Sequence, residues 1–135
     1  MSNSLSEILQ GIEFHRLGNL PSSVAALSVN SKELAKGALF FAIRGAKDDG
    51  HKYVKNAFQN GAAAVVVEEA VADESIPQII VADTKTALSK AAANFYDNPT
   101  NNMTIVGVTG TNGKTTTVYL LNEIFKEAGL KHGTV

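Results

Sequence analysis

Gly110-x-x-Gly113-Lys114-Thr115-Thr116 is the stretch in which residue type and spacing most directly imply chemistry. It follows an apolar run, Met103, Ile105, Val106 and Val108, of the kind expected in a buried strand. From Thr115 the pattern turns helical, with Val118, Leu121 and Phe125 near one face and Leu120 and Ile124 beside them. Strand, glycine-rich turn and helix start make a loop whose backbone wraps a ligand closely, at a helix end that attracts anions. Lys114 is placed to reach the outer phosphates of a nucleotide, and the Thr115 hydroxyl to complete the shell of a phosphate-bound Mg²⁺. The longer phosphate-loop pattern also asks for glycine where Val108 stands, and Gly107 is one position early, so the strict form fails by one residue. The ordinary alternative is a strand-to-helix turn with a solvated lysine.

Such a loop works only on a scaffold, and the preceding hundred residues read as one. Ser4-x-x-Glu7 has the form of a capping box before Leu5, Ile8, Leu9 and Ile12, which recur at helical spacing. Residues 13–23 read as loop or irregular strand, with Gly18 and Pro21 as breakers, and 24–29 as a strand. A second strand spans 38–43, in which the adjacent Phe40 and Phe41 face opposite sides and both belong to the core. Residues 44–51 form a charged, glycine-bearing loop. A helix then runs through Tyr53, Val54, Ala57 and Phe58 to Gly61, placed where a left-handed C-terminal residue is expected. The near-continuous apolar run 62–67 predicts a strand buried on both faces, hence a sheet covered by helices. Residues 68–77 read as an acidic, mobile segment and 78–81 as a further strand. Asp83 is placed to cap a helix over 84–96 with Leu88, Ala91, Ala92 and Phe95 as its buried stripe. Six residues of turn chemistry at 97–102 predict a domain boundary.

The expected architecture is therefore α/β: a small domain over 1–100, a mixed sheet with flanking helices, followed over 101–135 by the first strand-loop-helix of a nucleotide-binding domain. One strand and one helix cannot bury a core, because a parallel unit needs at least its returning strand, so the second part reads as truncated.

Composition narrows the classes. A net charge of −1 over 135 residues gives no electrostatic basis for nucleic-acid binding. Cysteine is absent, which excludes disulfides and thiolate metal sites. His15, His51 and His132 have no metal-ligand spacing, and His51 is placed to cap or pack at a helix start. No apolar stretch approaches a membrane span, and residues 1–4 lack the basic and apolar regions of a signal peptide, so a cytoplasmic location is the default.

Val108-Thr109-Gly110-Thr111-Asn112-Gly113-Lys114-Thr115-Thr116-Thr117 resembles the ATP-binding loop of the Mur ligases. Upstream, Val29-Asn30-Ser31-Lys32, then Gly37-Ala38-Leu39-Phe40-Phe41-Ala42-Ile43-Arg44-Gly45, then Asp49-Gly50-His51, resemble that family's N-terminal Asp-Ser-Arg, Gly-x-Leu-Phe-x-Ala and Asp-Gly-His succession in order and spacing. The resemblance covers the chain from Val24 onward.

It implies an N-terminal domain that binds the uridine and diphosphate of a UDP-sugar and a central domain that binds ATP and Mg²⁺. ATP phosphorylates the substrate's terminal carboxylate, and an amine attacks the acyl phosphate to form a peptide bond. Val29 and Ser31 would contact the uridine, and Ala46, Lys47 and Asp48 would lie near the ribose and diphosphate. Gly110, Thr111, Asn112, Gly113, Lys114, Thr115 and Thr116 would hold the ATP phosphates. No catalytic residue is expected here, since the family's lysine and acidic metal ligand would lie beyond Val135, so the chain is expected to bind without catalysing. The implied substrate is UDP-N-acetylmuramoyl dipeptide, to which a diamino acid, lysine or meso-diaminopimelate, is added. A sister ligase that adds a dipeptide shares the N-terminal pattern but usually carries Ser where Thr111 stands. A nucleotide-binding module without ligase chemistry is the remaining alternative. Two departures stand out: the planar Arg of the family pattern is Lys32, a point charge, and a position often polar is Ala46, which leaves only backbone contact.

Overall fold

The computed structural model describes residues 3–46 and 48–135. The chain divides into two compact units, Met1–Pro99 and Thr100–Val135.

In the first unit the apolar runs form parallel strands β4 (Leu27–Ser28), β5 (Leu39–Phe41), β6 (Ala64–Val67) and β7 (Gln78–Ile80), with β2 (His15–Leu17) antiparallel on the outer side of β7. The order is β2-β7-β6-β5-β4. A separate two-stranded pair joins β1 (Asn3–Ser4) to β3 (Ser23–Val24). The expected strand over 24–29 is thus split in two, each piece serving a different sheet.

Strand periodicity sorts the core onto two faces. Leu39, Phe41, Ala64, Val66 and Ile79 point to one, packed with Leu5, Ile8 and Leu9 around α1 (Leu5–Ile8) and with Ala87 and Ala91 of α3 (Thr84–Phe95). Phe40, Val65 and Val67 point to the other, against Val54 and Ala57 of α2 (Val54–Gln59) and against Ile76. Every residue of β6 is buried, as its unbroken apolar run requires.

The opening helix is one turn long, and its capping box is not made: the Ser4 hydroxyl pairs with that of Ser6 at 2.8 Å. Its C-terminal carbonyls are satisfied instead by α3. Asn94 Nδ2 donates to the carbonyls of Ile8 (3.0 Å) and Gln10 (2.9 Å), and Lys90 Nζ to that of Gly11 (3.1 Å). Asp83 caps α3 as expected, accepting from the Thr86 amide at 2.9 Å. At its other end Asp97 (φ 57°) and Asn98 (φ 50°) adopt the left-handed region, with Asn98 N–H bonded to Ala93 O and Asp97 N–H to Asn94 O, a Schellman stop.

Residues 68–77, expected to be mobile, are anchored by a side chain. Gln78 is fully buried in β7. Its side-chain amide nitrogen, Nε2, donates to the carbonyls of Val71 (3.0 Å) and Asp73 (3.3 Å), while Oε1 accepts from Val71 N–H (2.9 Å). The polar residue that looks misplaced in a core strand templates the preceding loop.

In the second unit α4 (Lys114–Glu127) forms as expected. Residues 105–108, expected to be a strand, make no ladder among the described residues; a strand is defined by its partner, and none is present there. No helix among the described residues is long and apolar enough to cross a membrane.

Replacing Gln78 with Leu keeps the volume but strands the Val71 amide and carbonyl. Urea denaturation is expected to show a loss of about 1–3 kcal/mol; unchanged stability would show that the loop is not held through this amide.

Candidate functional site

Because β4 to β7 are parallel, the loops leaving them all emerge at one edge of the sheet, the carboxyl edge at which open α/β sheets receive ligands. Two of the sequence-derived segments lie there, on the neighbouring strands β4 and β5.

After β4, Ser28 Oγ both donates to Asn30 O and accepts from Asn30 N–H, each at 3.1 Å, and Asn30 Oδ1 accepts from Lys32 N–H at 3.0 Å. This Asx turn fixes the two residues singled out here. Val29 is 55% exposed, an apolar side chain on the surface, and Ser31 is only 7% exposed. The Ser31 carbonyl accepts from Asn60 Nδ2 at 2.8 Å. No helical turn follows Ser31, so it has no capping role.

After β5, Arg44 and Asp49 pair as an isolated bridge, and Gly45 N–H donates to Asp48 O at 2.8 Å. Ala46 and Asp48 are exposed on this turn, while Lys47 lies outside the described residues. The Asp48 carboxylate is committed on both oxygens, accepting from Tyr53 Oη (2.8 Å) and from the Asp49 amide (2.9 Å). The tyrosine hydroxyl is the main reason its pKa is lowered.

Behind the turn runs a polar chain that sequence reasoning left unassembled. Asp49 Oδ1 accepts from the His51 amide (3.0 Å) and pairs with His51 Nδ1 (2.7 Å). His51 Nε2 faces the Glu68 amide at 2.9 Å. An amide can only donate, so Nε2 accepts, and the ring is neutral with its proton on Nδ1. Glu68 Oε1 in turn accepts from the backbone and hydroxyl of Thr84 (3.0 and 2.9 Å), which is buried at the start of α3. The His51 amide, then its ring, hold the Asp49 carboxyl down from the ordinary 3.8 to about 2, and the Thr84 amide is the first cause of a lowered Glu68. Asp49 is legible as a cap from its position before a turn, and it does cap the 3-10 turn Gly50–Tyr53. Glu68 and Thr84, distant in sequence, carry no local signal.

Gly50 has a steric role. A Cβ there would stand 2.7 Å from Ile43 N and 2.8 Å from Ala42 C and Ile43 O, all backbone atoms.

In the second unit, Gly113 (φ 76°) precedes α4 in the left-handed region, where glycine is favoured. No side chain caps this helix start, and no acidic residue occupies its first turn, so its N–H groups face outward without a competing anion. Lys114 Nζ bonds back to the Gly110 carbonyl and spans the loop. Gly110, Thr111, Asn112, Thr115 and Thr116 are all exposed, and Thr117 Oγ1 is turned inward onto Gly113 O (2.8 Å). Thr115 offers one hydroxyl, and among the described residues no group of three His, Asp or Glu side chains could hold a metal.

Sheet, strand-end loops and the glycine turn before α4 define an α/β protein. The chain belongs to the Mur ligase family: residues 23–96 match the model described as Mur ligase family, catalytic domain, and residues 108–135 the Mur ligase middle domain. Curated relatives include the UDP-N-acetylmuramoyl-L-alanyl-D-glutamate--2,6-diaminopimelate ligases of Aquifex aeolicus, 48% identical over 83% of this chain and 23% of the relative, and of Clostridium tetani, 37% identical over 96% and 28%. Similar solved structures are MurF from Acinetobacter baumannii, with TM-score 0.74 and 25% identity over 94% of this chain and 28% of that one, and MurF ligase from Thermotoga maritima in complex with ADP, with TM-score 0.61 and 34% identity over 76% and 23%. The chain thus spans about a quarter of the length of these curated relatives, 23% and 28% in the two cases.

Two outcomes are expected. Gly50→Ala drives a methyl into fixed backbone and should cost about 2 kcal/mol or more in thermal or urea unfolding; wild-type stability would show that the backbone yields there. The lowered Asp49 pKa means that folding favours its carboxylate: this stabilisation is complete above 3.8 and is lost as pH falls toward about 2. Comparing urea midpoints at about pH 5 and about pH 2.5, Asp49→Asn should show a shallower acid loss than the wild type; equal slopes would remove Asp49 from the account.

Proposed function

We propose that this chain is the N-terminal portion of an ATP-dependent ligase of the MurE type, which adds a diamino acid to UDP-N-acetylmuramoyl-L-alanyl-D-glutamate in peptidoglycan synthesis. The observation that carries the reading is that the loops after β4 and β5 stand on adjacent parallel strands at the carboxyl edge. Val29 and Ser31 on one loop then serve the uridine, and Ala46, Lys47 and Asp48 on the other serve the ribose and diphosphate, so one nucleotide spans both. With both Asp48 oxygens already engaged, this turn meets a diphosphate mainly through backbone N–H groups.

The second unit begins the ATP-binding domain. Residues 110–116 and the open start of α4 take the phosphates, Lys114 exchanges the Gly110 carbonyl for a phosphate oxygen, and Thr115 adds its hydroxyl to the accompanying Mg²⁺. Bound ATP supplies the activation of the acceptor carboxylate. This chain's residues bind and orient, and the domain boundary falls near residue 100. The names of the relatives favour diaminopimelate over lysine as the added residue. They also favour this ligase over the dipeptide-adding one, whose solved structures are less similar in sequence. Handling a nucleotide-activated precursor with ATP supports a cytoplasmic location.

Calorimetric titration with UDP-N-acetylmuramoyl dipeptide, and separately with Mg-ATP, tests the reading. Saturable binding of the UDP-sugar is expected, weakened roughly fivefold or more by Ser31→Ala, as loss of a buried hydrogen bond implies, and unchanged by Lys114→Ala. Failure of the UDP-sugar to bind would overturn the assignment. ATP binding with indifference to Ser31 would support a nucleotide-binding module without ligase chemistry.

A further inference from the structure

The guanidinium of Arg44 reaches from the first residues of the turn after β5 to two carboxylates of the loop after β6, while at the far end of the turn His51 Nε2 accepts from the Glu68 amide at 2.9 Å. Nε bonds Asp49 Oδ2 at 3.3 Å, on its own turn, while Nη2 bonds Glu69 Oε1 at 3.3 Å and Nη1 stands 3.6 Å from Glu68 Oε2. The remaining bonds of the turn, Gly45 N–H to Asp48 O and Gly50 N–H to Ile43 O, stay within its own strand end. They give the turn its shape. Its position against the loop after β6 is set by His51 at the far end and by Arg44 at the near end.

Arg44 is also badly placed to bind a diphosphate itself. Three carboxylates surround one guanidinium, so the local charge is negative and the planar donor is already used. Its side chain is 45% exposed, which makes it dispensable to the core.

We propose that Arg44 is a positioning residue for nucleotide binding: by tying its turn to Glu68 and Glu69 it holds the backbone at Ala46 and Asp48 in register with the loop after β4, without touching the ligand. The inference rests on the reading of this edge as a UDP site. It separates two properties that a merely structural residue would move together. Removing Arg44 leaves the turn closed, held at its far end by His51, and the fold stable, but the ligand must then order the near end of the turn as it binds.

The test is a double-mutant cycle on the full 135-residue chain, with UDP as probe and affinity and unfolding midpoint read in parallel. Arg44→Met is expected to weaken UDP binding about three- to tenfold with little change in the unfolding midpoint. Arg44→Lys, which meets its partners as a point charge, recovers part of the loss. Glu69→Gln weakens binding in the same direction, and the Arg44→Met, Glu69→Gln pair is no weaker than Arg44→Met alone, because both act through one link. Unchanged affinity in Arg44→Met overturns the proposal. Tighter binding in Glu69→Gln also overturns it, since a guanidinium freed to bind phosphate directly would behave that way. Should Arg44→Met fail to fold, the exposed Glu69→Gln change decides alone: weaker binding supports the proposal, and unchanged or tighter binding overturns it. A wild-type chain that does not bind UDP is a different result, which removes the functional reading and the positioning role with it.

Discussion

Parallel pairing from β4 to β7 is the constraint on which the candidate site depends. Parallel strands need crossovers, crossovers cover both faces, and a sheet covered on both faces can meet a ligand only where its loops emerge. That geometry brings Val29 and Ser31 to the same edge as Ala46 and Asp48, although the two segments are separated in the chain by the whole of β5. It also brings Arg44, Glu68 and Thr84, each just past a strand or at the start of the next helix, within reach of one another. The polar chain behind the turn is a product of topology first and of side-chain chemistry second.

Much of this scaffold was legible because its residues report their own surroundings. The unbroken apolar run of β6 announced burial on both faces, and Phe40 and Phe41 divided between the two core clusters as strand alternation demands. Asp83 and Gly61 punctuated their helices through local backbone chemistry, which a sequence displays directly. The glycine turn that starts α4 was visible for the same reason, since a left-handed glycine before a helix is a local fact.

What escaped was whatever depends on a distant partner. A strand at 15–17 exists only because β7 offers an edge, and the run at 24–29 breaks because β1 and β5 compete for it. Ser4 and Glu7 have the spacing of a capping box, yet α3 supplies the bonds that close α1. Gln78 read as a mere strand residue and is the template for the loop before it. His51 was placed at a helix start, which is right, but its second nitrogen finds the Glu68 amide from another strand. At 105–108 the failure runs the other way: β-prone residues form no ladder among the described residues, because propensity without a neighbour satisfies no backbone hydrogen bond.

The stop at the end of α3 carries a consequence of its own. Asp97 and Asn98 close the helix with two backbone hydrogen bonds to residues inside it, and Pro99 follows at once. No group beyond that point is needed to terminate the helix. The first unit therefore ends on a self-contained punctuation mark. The end of the first unit is written in its own last residues.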